Sequence, residues 1–142
     1  MAYCTQTDLL KAVSEAELAK QTNDTAPTLV DTARVAAAIA QADSVIDAWC
    51  GSRYTMPISP VPALITGISV DIALWVIFTR RDTKEISAAR QARYEAALDM
   101  LKAIASGKIL LDVAMPDTTA TTGIMQATAP ERLFTADLMD RY

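Results

Sequence analysis

The stretch IDAWCGSRYTMPISPVPALI, residues 46–65, decides how this chain folds. An apolar helical pattern runs as far as Gly51, the pair Arg53 and Tyr54 follows, and three prolines then occur within six residues, beginning at Pro57. Proline lacks a backbone N–H, fixes φ and restricts the residue before it, so this run cannot continue a helix. The stretch therefore predicts that one long helix ends and another begins across a stiff connection, which we name the elbow (residues 51–62).

The segment after the elbow is the most hydrophobic part of the chain. Residues 61–78, VPALITGISVDIALWVIF, approach the length of a membrane span. Asp71 lies near the middle, however, and Gly67 and Ser69 dilute the apolar run, which disfavours insertion into a bilayer. A helix that is apolar on all sides is typical of the centre of a helical bundle. We therefore expect a buried helix over residues 62–81 and no contact with a membrane.

Capping signals predict the helices before the elbow. Thr5 with Asp8 and Ser14 with Glu17 have the spacing of a capping box, which predicts two short helices over residues 5–13 and 14–21. Asp31 is placed to cap a long helix that ends near residues 51–54. Apolar residues recur along that helix at spacings of three and four, which predicts one stripe facing the core: Val35, Ile39, Ala42, Ile46 and Trp49.

Residues 86–106 form the last predicted long helix, with Tyr94 on its apolar face and Gly107 placed to end it in a left-handed cap. Residues 108–116 fit a strand or a docked extended segment. The final residues 131–142 mix apolar and charged side chains, which fits a docking tail as well as a last helix folded back on its own core. We expect an all-α fold: a small bundle of two short and three long helices over residues 1–111, followed by an extended C-terminal linker and tail over 112–142.

Charge and cysteine usage exclude several classes of protein. The net charge is −4 and the predicted pI about 4.7, so the chain has no overall basic surface with which to grip nucleic acid. Cys4 and Cys50 have no CxxC spacing, and we expect both to be reduced core residues of a cytosolic protein. The N-terminal MAYCTQTDLL lacks the basic start and long apolar centre of a secretory signal.

Few residues of the sequence are candidates for a catalytic role. Histidine is absent from the sequence, so Ser–His and Cys–His pairs and imidazole metal ligands cannot form. The four glycines form neither a phosphate loop nor a dinucleotide fingerprint. The carboxylate pairs Asp43 with Asp47 and Glu15 with Glu17 are expected on solvated helix surface. We therefore expect no catalytic, cofactor-binding or metal-binding residues.

Asp71 is the carboxylate with two competing interpretations. It could be a buried acid with a raised pKa, as active sites use, or a buried anion held by a nearby cation. The second interpretation is favoured, because its segment offers no catalytic partner. Arg80 and Arg81 are candidates for the cation, and the bidentate geometry of a guanidinium makes Arg53 in the elbow the preferred one.

Several stretches, in order, resemble one family: TQTDLL, SVIDAWCGSRYTMPI, VDIALWVIFTRR, RYEAALDMLKAIASGKILL and RLFTADLMDRY. They are similar to the Mu-like phage virion proteins, which are related in architecture to the helical head-to-tail connector, or adaptor, proteins of tailed phages. The resemblance covers essentially the whole chain apart from residues 114–130, which match no pattern.

The resemblance implies a virion subunit at the head–tail junction, present in the host cytoplasm during assembly. It implies a homo-oligomeric, twelvefold ring beneath the portal protein, which extends the DNA channel and carries a neighbouring neck or tail-completion protein while DNA only passes through the lumen. By position it assigns structural roles to Gly51, Arg53, Tyr54, Pro57, Asp71, Tyr94 and Gly107. It assigns partner docking to four residues of the tail: Arg132, Phe134, Leu138 and Tyr142.

Two other classes of function stay open at this point. One is a tail-terminator or another neck subunit of the same virion. The other is a small helical regulator or a carboxylate enzyme, and the enzyme would require acidic side chains that converge in a pocket. The acidic character of the chain favours the connector, because a channel must let DNA slide past without holding it.

Overall fold

Five α-helices and no strand make up the part of the chain that the computed structural model describes, residues 2–80 and 86–113. They are α1 (Gln6–Ala12), α2 (Glu15–Thr22), α3 (Thr32–Cys50), α4 (Ala63–Thr79) and α5 (Ala88–Ala105). Two short helices thus precede three long ones. The predicted all-α class is confirmed, and the predicted helix ends lie within a few residues of those observed.

The helices before the elbow begin at the predicted caps. The carboxylate of Asp8 accepts a hydrogen bond from the backbone N–H of Thr5 at 3.0 Å. The hydroxyl of Ser14 accepts one from the N–H of Glu17 at 3.3 Å. Asp31 accepts from two N–H groups in the first turn of α3, at 3.1 and 3.2 Å. Each side chain supplies an acceptor to backbone donors that the first helical turn leaves unpaired.

Helix α4 lies at the centre, packed between α3 and α5 and touching α1 and α2 as well. Nine of its side chains are buried, from Ile65 to Phe78, so the prediction of a buried central helix is confirmed. Among residues 2–80 and 86–113, no helix is long and apolar enough to cross a membrane. Because short connections join α3, α4 and α5, neighbours run antiparallel: Asp43 of α3 meets Ser69, and Tyr94 of α5 meets Trp75.

The core stripe of α3 is confirmed except at its last member. Val35, Ile39, Ala42 and Ile46 are buried, but Trp49 is 36% exposed. Cys50 takes the inward position instead, because it lies four residues after Ile46 on the same side of the helix. Cys4 and Cys50 are both free and buried, as predicted.

The two glycines predicted to end long helices do so in different ways. Gly107 has φ of 78°, the left-handed conformation expected of a C-terminal cap. Gly51 instead has φ of −63°, in the right-handed region. A Cβ placed there would lie 2.7 Å from the carbonyl oxygen of Asp47, so close approach to the preceding turn is what requires glycine at this position.

The chain docks onto the bundle after α5 without forming a strand. Leu111 is buried, and its backbone N–H donates to the hydroxyl of Tyr54 at 3.0 Å. This supports the docked-segment interpretation for residues 108–113. Residues 114–142, with the predicted docking residues of the tail, lie outside the described part of the chain.

Candidate functional site

The candidate site lies at one end of the bundle, which we name the elbow end. Because α4 runs antiparallel to both α3 and α5, the last turn of α3, the first turn of α4 and the last turn of α5 all meet there. Leu64 of α4 and Met100 of α5 line one cavity at this end. The elbow crosses the same end, and the described chain also finishes there at Val113.

The elbow is fastened to the bundle by two buried side chains. Tyr54 and Ile58 are each 1% exposed, whereas Pro57 is exposed. The backbone N–H of Ile58 donates to the hydroxyl of Tyr3 at 3.2 Å, while the hydroxyl of Tyr54 receives the N–H of Leu111. The peptide bonds before Pro57 and Pro60 are cis. The elbow therefore connects the N-terminal segment to the segment after α5.

The prediction that Asp43 and Asp47 lie on solvated helix surface is wrong. The backbone N–H of Tyr3 donates to Asp43 Oδ1 at 3.1 Å, and the Tyr3 hydroxyl donates to the carboxylate of Asp47. The hydroxyl of Ser69, on α4, also donates to Asp43, at 3.3 Å. The N-terminal segment folds over this side of α3, and helical spacing could not show that because the contacts join residues about forty positions apart.

Burial sets the protonation of this cluster. Loss of water raises the pKa of Asp43, although the hydrogen bonds from Tyr3 and Ser69 oppose the rise. Burial, with the hydrogen bond to Asp47, raises the pKa of Tyr3 to about 12, so its hydroxyl stays protonated and keeps donating. A cavity of about 490 Å³ opens beside Asp43. Both carboxylates are nevertheless bonded to the protein's own donors, so the cluster acts as a clip that holds Tyr3 in place.

Replacing Tyr3 by phenylalanine is expected to lower the free energy of unfolding by about 1–3 kcal/mol, because Asp47 loses a donor and the Ile58 N–H an acceptor. Urea denaturation would measure the change. The matched control is Tyr94→Phe, which keeps the ring stacked on Trp75 and removes a hydroxyl with no hydrogen bond in the described part of the chain; it should cost under about 0.5 kcal/mol. If the two substitutions had equal effects, the hydrogen bonds of the Tyr3 hydroxyl would not stabilise the fold.

The predicted pairing of Asp71 with Arg53 is also wrong. The Asp71 carboxylate faces Arg93 of α5 at 4.0 Å, so the interpretation as an anion held by a cation survives with a different partner. Arg53 lies at the elbow end instead, with its guanidinium over Gly107: a Cβ built there would be 2.6 Å from Arg53 Cζ. Asp71 sits two turns into α4, too far along the bundle for a side chain in the elbow.

Replacing Asp71 by asparagine should change the pH dependence of stability. Burial raises the pKa of Asp71 and the charge of Arg93 only partly opposes this, so the folded state binds the proton more tightly than the unfolded chain, where the pKa is 3.8. The ionised carboxylate therefore destabilises the fold above the folded-state pKa, and this loss disappears as the pH falls below 3.8.

Asp71→Asn is accordingly expected to melt at a higher temperature than the wild type at about pH 7, and at the same temperature at about pH 3. Thermal unfolding followed by circular dichroism would measure both. Asp99→Asn, at an exposed site on α5, should change stability by less than about 0.5 kcal/mol at either pH. A lower melting temperature for Asp71→Asn at neutral pH would show that the ion pair outweighs desolvation.

Large apolar side chains are exposed mainly at the elbow end. Leu29, 66% exposed, lies at the opposite end, in the loop between α2 and α3. The others exposed among the described residues form what we name the elbow-end surface: Trp49 (36%), Leu64 (36%), Met100 (41%) and Leu110 (63%). Arg53 belongs to the same end, and its buried Nε has no hydrogen-bond partner within residues 2–80 and 86–113. Exposed apolar side chains at one end of a bundle make that end the candidate protein-binding surface.

Three contacts of α5 with α4 could not be predicted from the sequence. The ring of Tyr94 stacks on Trp75 with centroids 4.6 Å apart and planes 7° apart. The guanidinium of Arg90 lies 3.3 Å above the centre of the Phe78 ring. Arg93 reaches Asp71, as described above. The aromatic residues at the end of α4 were the available signal, but which turn of α5 meets them depends on how the two helices pack.

The bundle and its elbow-end surface define a small helical subunit with a candidate protein-docking end. The family described as Bacteriophage Mu, Gp36 matches residues 3–128. The Mu-like prophage FluMu protein gp36 of Haemophilus influenzae is 34% identical over 90 residues, which are 63% of this chain and 61% of that relative. The chain belongs to the Bacteriophage Mu Gp36 family.

The family match confirms the resemblance to proteins of Mu-like phages and carries no further description of function. It ends at residue 128. The four tail residues therefore lie beyond it, and their docking role stays a prediction: Arg132, Phe134, Leu138 and Tyr142.

Proposed function

We propose that this chain is a structural subunit of the phage virion, a head-to-tail connector that assembles into a ring below the portal protein and joins capsid to tail. The observation that carries the proposal is the elbow-end surface. Exposed apolar side chains at one end of a small bundle are what a subunit needs to dock onto another protein.

The negative net charge of the chain supports a role next to DNA that does not involve tight binding to DNA. With a net charge of −4 on each subunit, a ring of such subunits would carry a net negative charge, which disfavours tight binding to the phosphate backbone. Family membership supports the phage setting, because the FluMu relative is a prophage protein. The resemblance to connector proteins supplies the position at the neck and the twelvefold ring.

A role without catalysis is part of the proposal. The chain contains no histidine, and two neighbouring carboxylates of α3, Asp43 and Asp47, accept hydrogen bonds from Tyr3 and Ser69. A general acid or base needs a carboxylate that can reach a substrate, whereas these two hold the N-terminal segment. We therefore infer an assembly protein that needs no cofactor.

A tail-terminator or another neck subunit would use the same surface. The two roles differ in where the protein lies in the particle, so cryo-electron microscopy of the virion neck separates them. Density for this bundle directly beneath the portal is expected. Density found only at the far side of the neck, next to the tail tube, would contradict the connector role and support the tail-terminator role.

The leucine pair Leu110 and Leu29 provides a matched test in the phage, because both are exposed to a similar degree, 63% and 66%, at opposite ends of the bundle. In a phage whose own copy is inactivated, the Leu110→Glu protein is expected to lower the yield of infectious particles at least about ten-fold, because a carboxylate would be desolvated in the interface. Leu29→Glu should restore nearly the full yield.

Electron microscopy of the lysates would show the cause of the lost yield. Heads that fail to join tails are expected with Leu110→Glu. Equal melting temperatures of the two purified variants would exclude misfolding as the cause. Full yield with Leu110→Glu, or an equal loss with Leu29→Glu, would contradict a docking role of the elbow-end surface.

A further inference from the structure

A groove runs between α4 and α5 along the outside of the bundle. It consists of two adjoining cavities, of about 290 and 270 Å³, that share Asp71 and Arg93. The first opens at the elbow end between Leu64 and Met100, which are 36% and 41% exposed. We name the two cavities together the α4/α5 groove; it has apolar lips and one ion pair halfway along.

Gly67 forms part of the groove wall and has no reason within the bundle to be glycine. It lies inside α4, where glycine is less favourable than alanine because it loses more backbone freedom on folding. Apart from the neighbouring backbone of α4, a Cβ built on it would meet no atom of the described residues within 4 Å. The bare backbone at this position leaves room for something that lies directly against α4.

We infer that the α4/α5 groove is the docking site of the chain's own C-terminal segment, residues 131–142, in the free subunit. The described chain ends at Val113, at the end of the bundle where the groove opens. Seventeen residues, 114–130, separate this point from the segment. They can span up to about 60 Å, whereas α4 is only about 26 Å long, so the segment can reach the whole groove.

The chemistry of the segment fits the groove. Phe134, Leu138 and Tyr142 are spaced by four residues, which on a helix places them on one side, suited to the apolar lips. On the same helical projection Arg141 would lie beside this stripe and would supply a guanidinium for Asp71, whose cation in the bundle is 4.0 Å away. Asp137, four residues earlier, supplies a carboxylate for Arg93, which is 68% exposed.

The covalent connection favours the chain's own segment over that of another molecule. A tethered segment is present at an effective concentration in the millimolar range, far above that of a second subunit in dilute solution. The inference concerns the purified subunit and does not rest on its role in the virion. Its failure would therefore leave the connector proposal standing, and the reverse also holds.

Disulfide trapping in the full-length chain tests the inference. In Met100→Cys with Leu138→Cys, oxidation of dilute protein is expected to form an intramolecular disulfide at least about ten-fold faster than in the control, Trp49→Cys with Leu138→Cys, whose thiol lies at the same end of the bundle but outside the groove. The native Cys4 and Cys50 are 2% and 0% exposed and should not compete. Mass spectrometry and non-reducing gels would measure the products. Equal rates for the two pairs, or disulfide-linked dimers as the main product, would overturn the inference.

Gly67→Ala provides a second, independent test. The added methyl group has space in the folded bundle and should raise the melting temperature, because alanine is the better helix former. It would nevertheless occupy the groove. In the background of Met100→Cys with Leu138→Cys, disulfide formation is expected to slow at least three-fold although the protein is more stable. An unchanged rate would show that the segment does not lie against α4.

Discussion

Replacing Tyr54 by alanine is expected to lower the free energy of unfolding by about 3–5 kcal/mol. Tyr54 is 1% exposed and joins the elbow to the segment after α5, because its hydroxyl accepts the backbone N–H of Leu111. Alanine would leave a cavity where the ring lies and an unpaired N–H beside it. Urea denaturation at constant pH would measure the loss.

Tyr54→Phe separates the two contributions. It keeps the ring and removes only the acceptor of the buried Leu111 N–H, for an expected loss of about 1–3 kcal/mol. Leu29→Ala, at a side chain 66% exposed, should cost under about 0.5 kcal/mol. If Tyr54→Ala cost no more than Leu29→Ala, the elbow would not be fastened through this ring.

Replacing Gly107 by alanine is expected to cost about 2–4 kcal/mol for two separate reasons. Its φ of 78° is a conformation that costs an L-residue about 1–2 kcal/mol. In addition, the new Cβ would lie 2.6–2.7 Å from atoms of the Arg53 guanidinium, which would have to move. Gly67→Ala is the matched control, since the same methyl group there finds open space and should be slightly stabilising.

A double-mutant cycle with Arg53→Ala separates the cost of backbone strain at residue 107 from the cost of contact with the Arg53 guanidinium. When the guanidinium is removed first, Gly107→Ala should cost only the backbone strain of about 1–2 kcal/mol. The difference between the two backgrounds measures the contact between Arg53 and the end of α5. Additive effects of the two substitutions would show that Arg53 does not lie over Gly107.

Local sequence signals were sufficient for the helices and for part of the candidate site. Caps at Thr5, Ser14 and Asp31 act within one turn, and the elbow prolines end α3 by their own covalent structure. Gly107 likewise ends α5 through its own φ. Such signals involve neighbours in the chain, so they can be predicted before any packing is known.

Contacts between distant residues were predicted less well. Asp71 was expected to need a cation, and it has one, but the partner is Arg93 of α5 and not the expected Arg53. Trp49 fits a helical stripe of α3, yet at the last turn of the helix Cys50 faces the core and Trp49 is exposed. In both cases the helix itself was predicted correctly, but the sequence does not show where the neighbouring helix lies.

Local patterns in the sequence predict the all-α class, the order of two short and three long helices and the buried central helix, and the family resemblance predicts the phage family. The contacts of Asp43 and Asp47 with Tyr3, the pairing of Arg93 with Asp71 and the exposed apolar groups at the elbow end become visible only in the folded bundle. The difference lies in the distance over which each effect acts. Capping, chain stiffness and periodicity act over one or two turns, whereas these contacts depend on how α3, α4 and α5 pack side by side.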